Sequence, residues 1–334
     1  MRKQFTTPFE ELITAENLLE AWREFLCGKR KRLDVQKYSL TLINNILSLH
    51  SDLANGVYAH GDYQSFNICD PKPRTIHKAS MRDRLVHHAL YRKLYPFFSG
   101  VFIADSFSCQ LAKGTHRALR RFEHFARKLS KNNTHTCWVL KCDIKKFFAN
   151  VDHAILESIL RSYIPEEKTL ALLRNIVMSF HSRPNVGLPL GNLTSQLFVN
   201  VYMNELDRFA KHTLRAKYYV RYCDDFVLFS ENKQWLQNRI PQIRDFLSDK
   251  LKLDLHPDKV FIQTVASGTD FLGWVHFPHH QIPRTTTKRR MLKRIKTSPT
   301  AATLNSYLGL LKHGATGRLK KQVLKEYYLA KENR

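Results

Sequence analysis

The sequence predicts an α+β fold in which an antiparallel sheet is built from the middle of the chain and helices lie at both ends. The first observation is the segment from Tyr218 to Ser230, where aromatic and β-branched residues flank an Asp-Asp pair. This pattern is typical of a β-hairpin. The second is an apolar run that begins at Trp138 and leads into Asp143. The third is the helical spacing of apolar residues over residues 9–50 and again beyond residue 284.

The composition indicates a folded protein with a polyanionic partner. With 334 residues, 43% of them hydrophobic, the chain can bury a sizeable core. It carries 54 Lys and Arg against 29 Asp and Glu, a formal net charge of +25. Such an excess favours nucleic acid or an anionic membrane surface as the partner. The sequence has no apolar run of about 20 residues that would span a bilayer and no apolar signal core, so nucleic acid is favoured.

The six cysteines are scattered and form no C-x-x-C pair. A zinc site or a disulfide framework is therefore not expected, and a reducing cytoplasm fits their distribution.

Residues 9–50 are predicted to be helical, with a basic break at residues 28–32 that either touches a phosphate backbone or is merely solvated. Beyond residue 58, two short runs around a Pro-rich turn predict a further hairpin that carries Lys72, Arg74 and Lys78. Cations on such a hairpin suit the gripping of a triphosphate. A basic surface turn is an equally good interpretation.

Two helices are predicted next. The first covers residues 81–98, where Asp83, His87 and His88 suggest metal ligands, although a polar helix face with satisfied histidines is the favoured interpretation. The second extends through residue 129, is strongly basic and has Thr115 as its expected N-cap.

Two aspartates then follow with different expected roles. Asp143 ends a strand whose neighbours are expected to be buried in a sheet, whereas Asp152 is expected to cap a helix that starts near His153. Asp143 alone is therefore a candidate for chemistry.

The remaining elements complete the predicted architecture. A loop around Gly191 is expected to open a helix whose amides and small residues lie against a flat polar ligand. Helix is expected near residues 232–250, and residues 269–277 are predicted to close the sheet. From Arg284 onward there are 14 Lys and Arg against two acids, with apolar residues at helical spacing, which predicts a helical module with one basic face.

The acidic residues suggest metal-dependent phosphoryl transfer. An Asp-Asp turn taken alone is usually solvated, but two like charges beside a buried sheet are costly unless a cation neutralises them. Asp143, Asp224 and Asp225 can converge in one sheet and hold two Mg²⁺ ions, which prefer carboxylate oxygens. Two ions about 3.5–4 Å apart stabilise the attacking and leaving oxygens of an in-line displacement. With the cationic hairpin, the Gly191 loop and the basic helical end, this arrangement predicts a template-directed polymerase.

The motifs resemble those of a known family. Tyr222-Cys223-Asp224-Asp225 is similar to the Y-x-D-D box of reverse transcriptases, and Asp143 with Phe147-Phe148 resembles their preceding acidic motif. The resemblance covers roughly residues 60–330 and implies a right-hand polymerase with an antiparallel-sheet palm, fingers and a helical thumb. It places an N-terminal extension and fingers in residues 1–135, the palm in 136–283 (with part of the fingers inserted at about 155–186) and the thumb in 284–334.

The same resemblance implies roles for individual residues. Metal ligands would be Asp143, Asp224, Asp225 and the backbone carbonyl of Ile144, with two Mg²⁺ ions as the cofactor. Lys259 would protonate departing pyrophosphate, and Phe148 would be the steric gate that excludes a ribose 2′-OH. The implied nucleotide-binding residues are Lys72, Arg74, Phe148, Leu190, Gly191 and Gln196. The implied primer and template contacts are Tyr222, Leu272, Gly273, Lys113 and Gly114.

One departure from the general pattern narrows the resemblance. Most reverse transcriptases have Gln-Gly-x-x-x-Ser-Pro where this chain has Leu190-Gly191-Asn192-Leu193-Thr194-Ser195-Gln196. Leu before the glycine and Gln in place of Pro resemble the enzymes of diversity-generating retroelements. Leu190 cannot hydrogen-bond the nucleotide sugar as a glutamine would, and a looser hold weakens selection between right and wrong bases. The resemblance thus implies error-prone synthesis, chiefly opposite template adenines.

That family also implies the partners. They are a template RNA, the RNA/cDNA duplex, dNTPs and a small basic accessory protein of the same cassette, in a bacterial or phage-encoded cytoplasmic enzyme. Two alternatives stay open: a retron, group II intron-like or phage-defence reverse transcriptase, and a non-catalytic RNA-binding scaffold. The intact Asp143, Asp224 and Asp225 argue against the scaffold.

Overall fold

The computed structural model describes residues 2–69 and 73–332. Four helices open the chain and pack with a longer fifth helix, because their apolar residues recur on one side and form a common core. These helices are α1 (Phe9–Ile13), α2 (Ala15–Phe25), α3 (Leu33–Leu40), α4 (Leu42–Ala54) and α5 (Met81–Ser99). The helical prediction for residues 9–50 is confirmed, with the basic stretch 28–32 lying in the turn between α2 and α3.

A two-stranded hairpin lies between α4 and α5, as predicted. Strand β1 (Gln64–Ile68) pairs antiparallel with β2 (Arg74–Lys78), so that Ile68 lies opposite Arg74. Of the three cations expected on this hairpin, Lys72 lies outside the described residues. The N–H of His77 on β2 donates to the carbonyl of Leu190 at 2.9 Å, which joins the hairpin to the Gly191 loop.

The central sheet has four antiparallel strands in the order β4-β5-β3-β6. They are β3 (Trp138–Asp143), β4 (Tyr219–Tyr222), β5 (Asp225–Ser230) and β6 (Phe261–Thr264). One face of the sheet, with Leu140 and Leu228, belongs to the same core as the N-terminal helices. The other face, with Val139 and Val227, packs in a second core. Since side chains alternate along a strand, both faces of this sheet are covered.

Five helices surround the central sheet. They are α6 (Thr115–Leu129), α7 (His153–Arg161), α8 (Glu167–Met178), α9 (Leu193–Arg208) and α10 (Lys233–Leu251). Asp152 caps α7 as expected, because its carboxylate accepts from the N–H of Ile155 at 3.0 Å. Thr115 is not the N-cap of α6. The cap position is Gly114, with a φ of 108°, and Thr115 is the first helical residue.

Residues 269–277 do not close the central sheet, so that prediction was wrong. Strands β7 (Thr269–Phe271), β8 (Trp274–His276) and β9 (Gln281–Pro283) form a separate three-stranded sheet. The outer position beside β3 belongs instead to β6, which the sequence did not reveal. The small sheet packs on α6 through the second core, where Phe271 and Trp274 join Phe122.

The C-terminal region forms three helices with a core of their own. These are α11 (Thr285–Thr297), α12 (Ala301–Leu310) and α13 (Gly317–Glu332), and Met291, Ile295 and Tyr327 are among the side chains buried between them. The helical prediction for this region is confirmed. The division of the chain into fingers, palm and thumb stays a prediction. Within the described ranges, no helix combines the length and apolar character needed to cross a bilayer.

Candidate active site

The strand register brings the three candidate carboxylates together. Asp143, the last residue of β3, lies directly opposite Asp225, the first residue of β5. Since opposed residues of an antiparallel pair point to the same face, their carboxylates share one side of the sheet. Asp224 occupies the turn between β4 and β5, and its carbonyl accepts from the N–H of Ile144 at 3.2 Å.

The β4–β5 turn contains only one of the two acids that the sequence placed in it. Tyr222 pairs with Asp225, so the turn residues are Cys223 and Asp224, and Asp225 belongs to the strand. Cys223 has a φ of 58°, a conformation that normally favours glycine. A cysteine held in this conformation requires support from its surroundings.

That support comes from a buried ion pair that sequence reasoning missed. Arg221 on β4 and Asp207 on α9 are both fully buried, and two guanidinium nitrogens donate to the Asp207 carboxylate at 2.7 and 2.6 Å. The third nitrogen of the same guanidinium donates to the carbonyl of Cys223 at 3.1 Å. Arg221 therefore ties the Cys223 turn to helix α9.

Electrostatics at the three carboxylates favour a cation. Burial raises the pKa of Asp225 to about 7, and the neighbouring carboxylates of Asp143 and Asp224 add to this rise while Lys141 opposes it. Burial also raises the pKa of Asp224, and the charge of Asp143 contributes to that increase. Oδ1 of Asp225 is buried and has no hydrogen-bond partner among the described residues. Clustered like charges out of contact with water raise one another's pKa until a cation compensates them.

Two lysines approach the cluster. Nζ of Lys259 lies 2.8 Å from Oδ1 of Asp143, and Nζ of Lys141 lies 3.5 Å from Oδ2 of Asp225. Lys259 was predicted at this site, whereas Lys141 was not. The alternation along β3 offers a signal for Lys141, because it lies two residues before Asp143 and therefore on the same face.

The donor set fits hard divalent cations. Within residues 2–69 and 73–332, no three His, Cys, Asp or Glu side chains form a ready metal cage. Nevertheless, Oδ1 of Asp225 lacks a hydrogen-bond partner among the described residues, and the pKa values of Asp224 and Asp225 are raised. A bound cation would stabilise the ionised form of both carboxylates. The backbone around Ile144 is fixed by the Asp224 bond and by bonds that join Lys145 to Asp254 and His256 to Asp143. None of these bonds uses the Ile144 carbonyl, and oxygen donors of this kind suit Mg²⁺.

The Gly191 loop lies beneath the β1–β2 hairpin. Gly191 has a φ of 112°, and a Cβ at this position would lie 2.8 Å from Cγ2 of Ile76, so only glycine fits here. Gly191 and Gln196 line a cavity of about 380 Å³ that also contains Lys78 and His77 of the hairpin. Leu190, half-buried, is held through its backbone by His77. Arg74 is exposed at the beginning of β2.

The polar cluster of α5 is satisfied internally and holds the start of α9. Nδ1 of His87 bonds to the Thr194 hydroxyl at 2.7 Å, and its Nε2 lies 3.0 Å from Nε2 of His60. The Asp83 carboxylate accepts from the hydroxyls of Tyr58 and Ser80. Burial lowers the pKa of His87 to about 3, so this imidazole is neutral. The favoured interpretation of these residues, a satisfied polar helix face, agrees with these contacts.

The candidate primer and template residues lie on the side of the small sheet. The β7–β8 turn consists of Leu272 and Gly273, both with positive φ (50° and 86°), as a two-residue hairpin turn requires. The Tyr222 hydroxyl accepts from the Thr115 hydroxyl at 3.2 Å, so Tyr222 connects the acidic hairpin to the beginning of α6.

The ammonium group of Lys113 forms hydrogen bonds within the protein. It donates to the carbonyls of Ile103, Ala104 and Ser106 at 3.3, 3.1 and 2.7 Å. Gly114 follows as the α6 cap. The proposed nucleic-acid contact of these two residues stays a prediction, and the structure gives Lys113 a loop-holding role.

Phe148 lies near the acidic cluster but on a different element. It belongs to a 3₁₀ turn (Phe147–Asn150) that follows β3, and its carbonyl accepts from the N–H of Leu188 at 2.7 Å. Its ring, half-buried, makes an edge contact with Phe147. The turn thus connects the end of β3 to the loop that precedes Leu190.

Comparisons with known proteins point to one family. Residues 69–276 match the family model described as reverse transcriptase (RNA-dependent DNA polymerase). Protein YkfC of Escherichia coli is 24% identical over 330 residues, covering 85% of this chain and 84% of YkfC. The group II intron-encoded protein LtrA of Lactococcus lactis is 21% identical, covering 61% of this chain but only 44% of LtrA.

A solved structure shows the same fold. It is described as apo telomerase from Candida tropicalis truncated from its C-terminal domain, and the match has a TM-score of 0.51 at 13% identity. The match covers 68% of this chain and 55% of that chain. With the family match, this similarity confirms the predicted right-hand polymerase fold.

Proposed function

The chain belongs to the reverse transcriptase family and is an RNA-directed DNA polymerase, and from this premise we propose that it makes error-prone cDNA for a diversity-generating retroelement. The observation that carries the proposal is Leu190, which precedes Gly191 in the loop beneath the β1–β2 hairpin. An aliphatic side chain there offers an incoming nucleotide no hydrogen bond.

The chemistry we propose is two-metal nucleotidyl transfer. Asp143, Asp224, Asp225 and the Ile144 carbonyl would hold two Mg²⁺ ions. When bound, these ions would neutralise the carboxylates and stabilise charge on the attacking and leaving oxygens. The convergence of the carboxylates and the unpaired Oδ1 of Asp225 support this assignment.

The chain's own side chains do the positioning. Lys259 holds an ammonium group at 2.8 Å from the Asp143 carboxylate, and we assign to it the proton that departing pyrophosphate takes up. Arg74, with Lys72, would bind the triphosphate through charge-assisted hydrogen bonds. Phe148 would exclude a 2′-OH by its bulk.

The proposed weak base selection is explained by Leu190 in the Gly191 loop, whose side chain offers the nucleotide sugar no hydrogen bond. Base selection is a difference in transition-state binding between the right and the wrong nucleotide. A site that binds the nucleotide sugar through fewer hydrogen bonds holds the nucleotide in a wider range of positions, and the difference shrinks. A side chain at Gly191 would meet Ile76, so no residue at that position can supply the missing hydrogen bond. Errors are proposed to concentrate opposite template adenines.

The proposed partners follow from the proposed system. They are the retroelement's template RNA, the RNA/cDNA duplex, dNTPs and a small basic accessory protein, in the cytoplasm of a bacterium that encodes the enzyme or carries it on a phage. The net charge of +25 supports a large polyanionic partner.

Group II intron-like reverse transcription is the second candidate, because LtrA is a group II intron-encoded protein. The two candidates differ in error spectrum: an intron-like enzyme is expected to copy adenines as faithfully as other bases. Retron and phage-defence roles would share that expectation.

The test is primer extension by the purified protein on an RNA template of mixed sequence, followed by sequencing of the cDNA. The proposal predicts that errors at template adenines greatly exceed those at the other three bases. Repeating the reaction with the small basic accessory protein of the proposed cassette tests the partner. A low and even error rate in both reactions would favour the intron-like alternative.

A further inference from the structure

We propose that the outer face of α6 is a second RNA-binding surface, outside the catalytic cleft, which holds the backbone of a long template RNA. The surface consists of Arg117, Arg120, His124, Arg127, Lys128 and Lys131. This inference rests on the proposed function, because it takes the bound polyanion to be the RNA that the enzyme copies.

The α6 surface is strongly basic along one stripe. Residues 115–132 contain six Lys and Arg against a single acid, Glu123. Positions 117, 120, 124 and 127 follow one another at spacings of three and four, so they lie on one helix face. Lys131 lies in the turn just beyond the end of α6 and lines the same groove. The opposite face, with Leu119, Phe122 and Phe125 among its residues, is buried in the second core. The basic stripe is thus turned to solvent by the packing of the apolar stripe.

The cations of this stripe are not engaged in ion pairs within the part of the chain that the structure describes. The five exposed Lys and Arg form no ion pair with an acid of the described residues. Arg121, which points off the stripe, pairs with Asp105 at 2.7 Å, and Lys211 also reaches Asp105 at 3.1 Å. The charge of Asp105 is therefore already compensated and does not neutralise the stripe. Neighbouring like charges on a helix repel one another, and a polyanion relieves that repulsion.

The surface also has a concave shape. A groove of about 670 Å³ is lined by Arg120, Glu123, His124, Arg127, Lys128 and Lys131 with Asn132. A groove lined by cations from successive turns of one helix and from the turn that follows it suits a phosphate backbone, whose charges repeat along a line, better than a flat anionic membrane.

The position of α6 connects this surface to the active site. Its first residue, Thr115, bonds to Tyr222 beside the acidic turn. Further along, Phe125 packs against Tyr218 and Phe229, at the end of the hairpin remote from Asp224. The helix therefore runs away from the cleft, and the helical part of its basic stripe, from 117 to 128, extends about 16 Å. An RNA strand that passes Tyr222 and continues over α6 would meet these cations in succession.

The test compares two RNA probes and two triple variants. One probe is a long folded RNA, and the other is a short primer–template duplex that fills only the cleft. In the test variant Arg120, Arg127 and Lys131 are each replaced by Gln. In the matched control Arg161, Lys168 and Arg174 are replaced by Gln; these cations are paired with Glu157, Glu167 or Glu10 on another surface.

We expect the test variant to bind the long RNA more weakly and with a salt slope lower by about 3, one unit for each lost phosphate contact. Its extension of the short duplex should be unchanged, and the matched control should keep the wild-type slope. E123Q should bind the long RNA more tightly, since it removes the one acid of the groove. Circular dichroism checks that each variant is folded.

An unchanged salt slope in the test variant overturns the proposal. It is equally overturned if the test variant keeps its RNA affinity but loses binding to vesicles of anionic phospholipid or to an acidic protein such as a poly-glutamate-tagged carrier. Failure of the wild-type protein to extend the short duplex would instead count against the proposed function. The two failures are therefore distinguishable.

Discussion

Asp225 combines a pKa of about 7 with a buried oxygen, Oδ1, that has no hydrogen-bond partner among the described residues. A metal ion binds the ionised carboxylate, so a proton and Mg²⁺ compete for this group. Because burial raises the pKa of Asp225 to about 7, protonation would weaken Mg²⁺ binding increasingly as the pH falls below about 7. The apparent affinity for Mg²⁺ should therefore increase as the pH rises from about 6 to about 8.

The measurement is the Mg²⁺ dependence of single-nucleotide incorporation at several pH values, with primer–template binding measured in parallel as the control. A half-saturating Mg²⁺ concentration that stays constant over this range would contradict the assignment of Asp225 as a ligand.

The second prediction concerns Asp224, which occupies the turn next to Asp225. D224N keeps the shape of the side chain but removes a negative charge from the proposed metal site. Metal charge stabilisation amounts to several kcal/mol, so single-nucleotide incorporation should fall by roughly 10²- to 10⁴-fold. D249N, at an exposed carboxylate on α10, is the matched control and should retain wild-type activity. Equal activity of D224N and wild type would refute the two-metal assignment.

At the scale of single residues, the sequence identified the three candidate acids. It did not identify Lys141 or the buried Arg221–Asp207 ion pair, which support them. Asp143, Asp224 and Asp225 stand out because each lies at the end of an apolar strand or in the turn that joins two such strands. Lys141 is signalled only by its position two residues before Asp143, on the same face of β3. Arg221 was missed because a cation within an apolar strand gives no sign of its partner. The partner of Arg221, Asp207, lies on a different helix and becomes visible only when α9 packs on the sheet.

At the scale of secondary-structure elements, the Arg221–Asp207 ion pair joins helix α9 to the acidic hairpin. Replacing Arg221 by Met leaves Asp207 buried and unpaired, which should lower the free energy of unfolding by about 3–5 kcal/mol. Arg221 also bonds to the Cys223 carbonyl, so incorporation should slow as well. The double variant R221M/D207L removes both charges and should recover a large part of the lost stability.

Urea unfolding of R221M, D207L and the double variant gives the coupling energy between Arg221 and Asp207. Additive losses in the double variant would contradict a direct interaction between these two side chains.

The sequence predicted the secondary-structure elements better than it predicted which strands pair with one another. The hairpins at 64–78 and 219–230 and the strand at 138–143 follow from local patterns that the structure confirms. Strand β6 (Phe261–Thr264) was missed because four residues give too short an alternation. Residues 269–277 were assigned to the wrong sheet because alternation identifies a strand without naming its partner.

At the scale of the whole molecule, buried neutral histidines link folding to pH. Burial lowers the pKa of His87 to about 3 and those of His88 and His276 to about 4. In the unfolded chain a histidine titrates near pH 6.5. The unfolded state therefore binds more protons below that pH, and stability must fall as the pH falls. For His87 alone the loss at about pH 5 amounts to about 2 kcal/mol.

Unfolding by urea at about pH 7 and about pH 5 measures this loss. H87Q carries no titrating group at this position and should show a shallower pH dependence, whatever its absolute stability. An identical dependence in wild type and H87Q would mean that His87 does not remain neutral in the folded protein.

The fold class and the family also belong to this scale, and both were predictable. They depend on the order of several weak signals along the chain: a cationic hairpin, a strand-ending Asp, a Gly-opened helix, an acidic hairpin and a basic helical end. The groove of α6 was not predictable, since the sequence gives the basic character of that helix but not the packing that exposes one stripe of it.

The most direct test of relaxed base selection is the discrimination at a template adenine. For wild type and L190Q, kcat/KM is measured for the right and the wrong dNTP opposite adenine and, separately, opposite cytosine in RNA, with L40Q at an exposed leucine as the matched control. The account predicts low discrimination opposite adenine in wild type and L40Q, and an increase of roughly fivefold or more in L190Q, since one added hydrogen bond contributes about 1 kcal/mol or more. Equally high discrimination opposite adenine in all three proteins would contradict it.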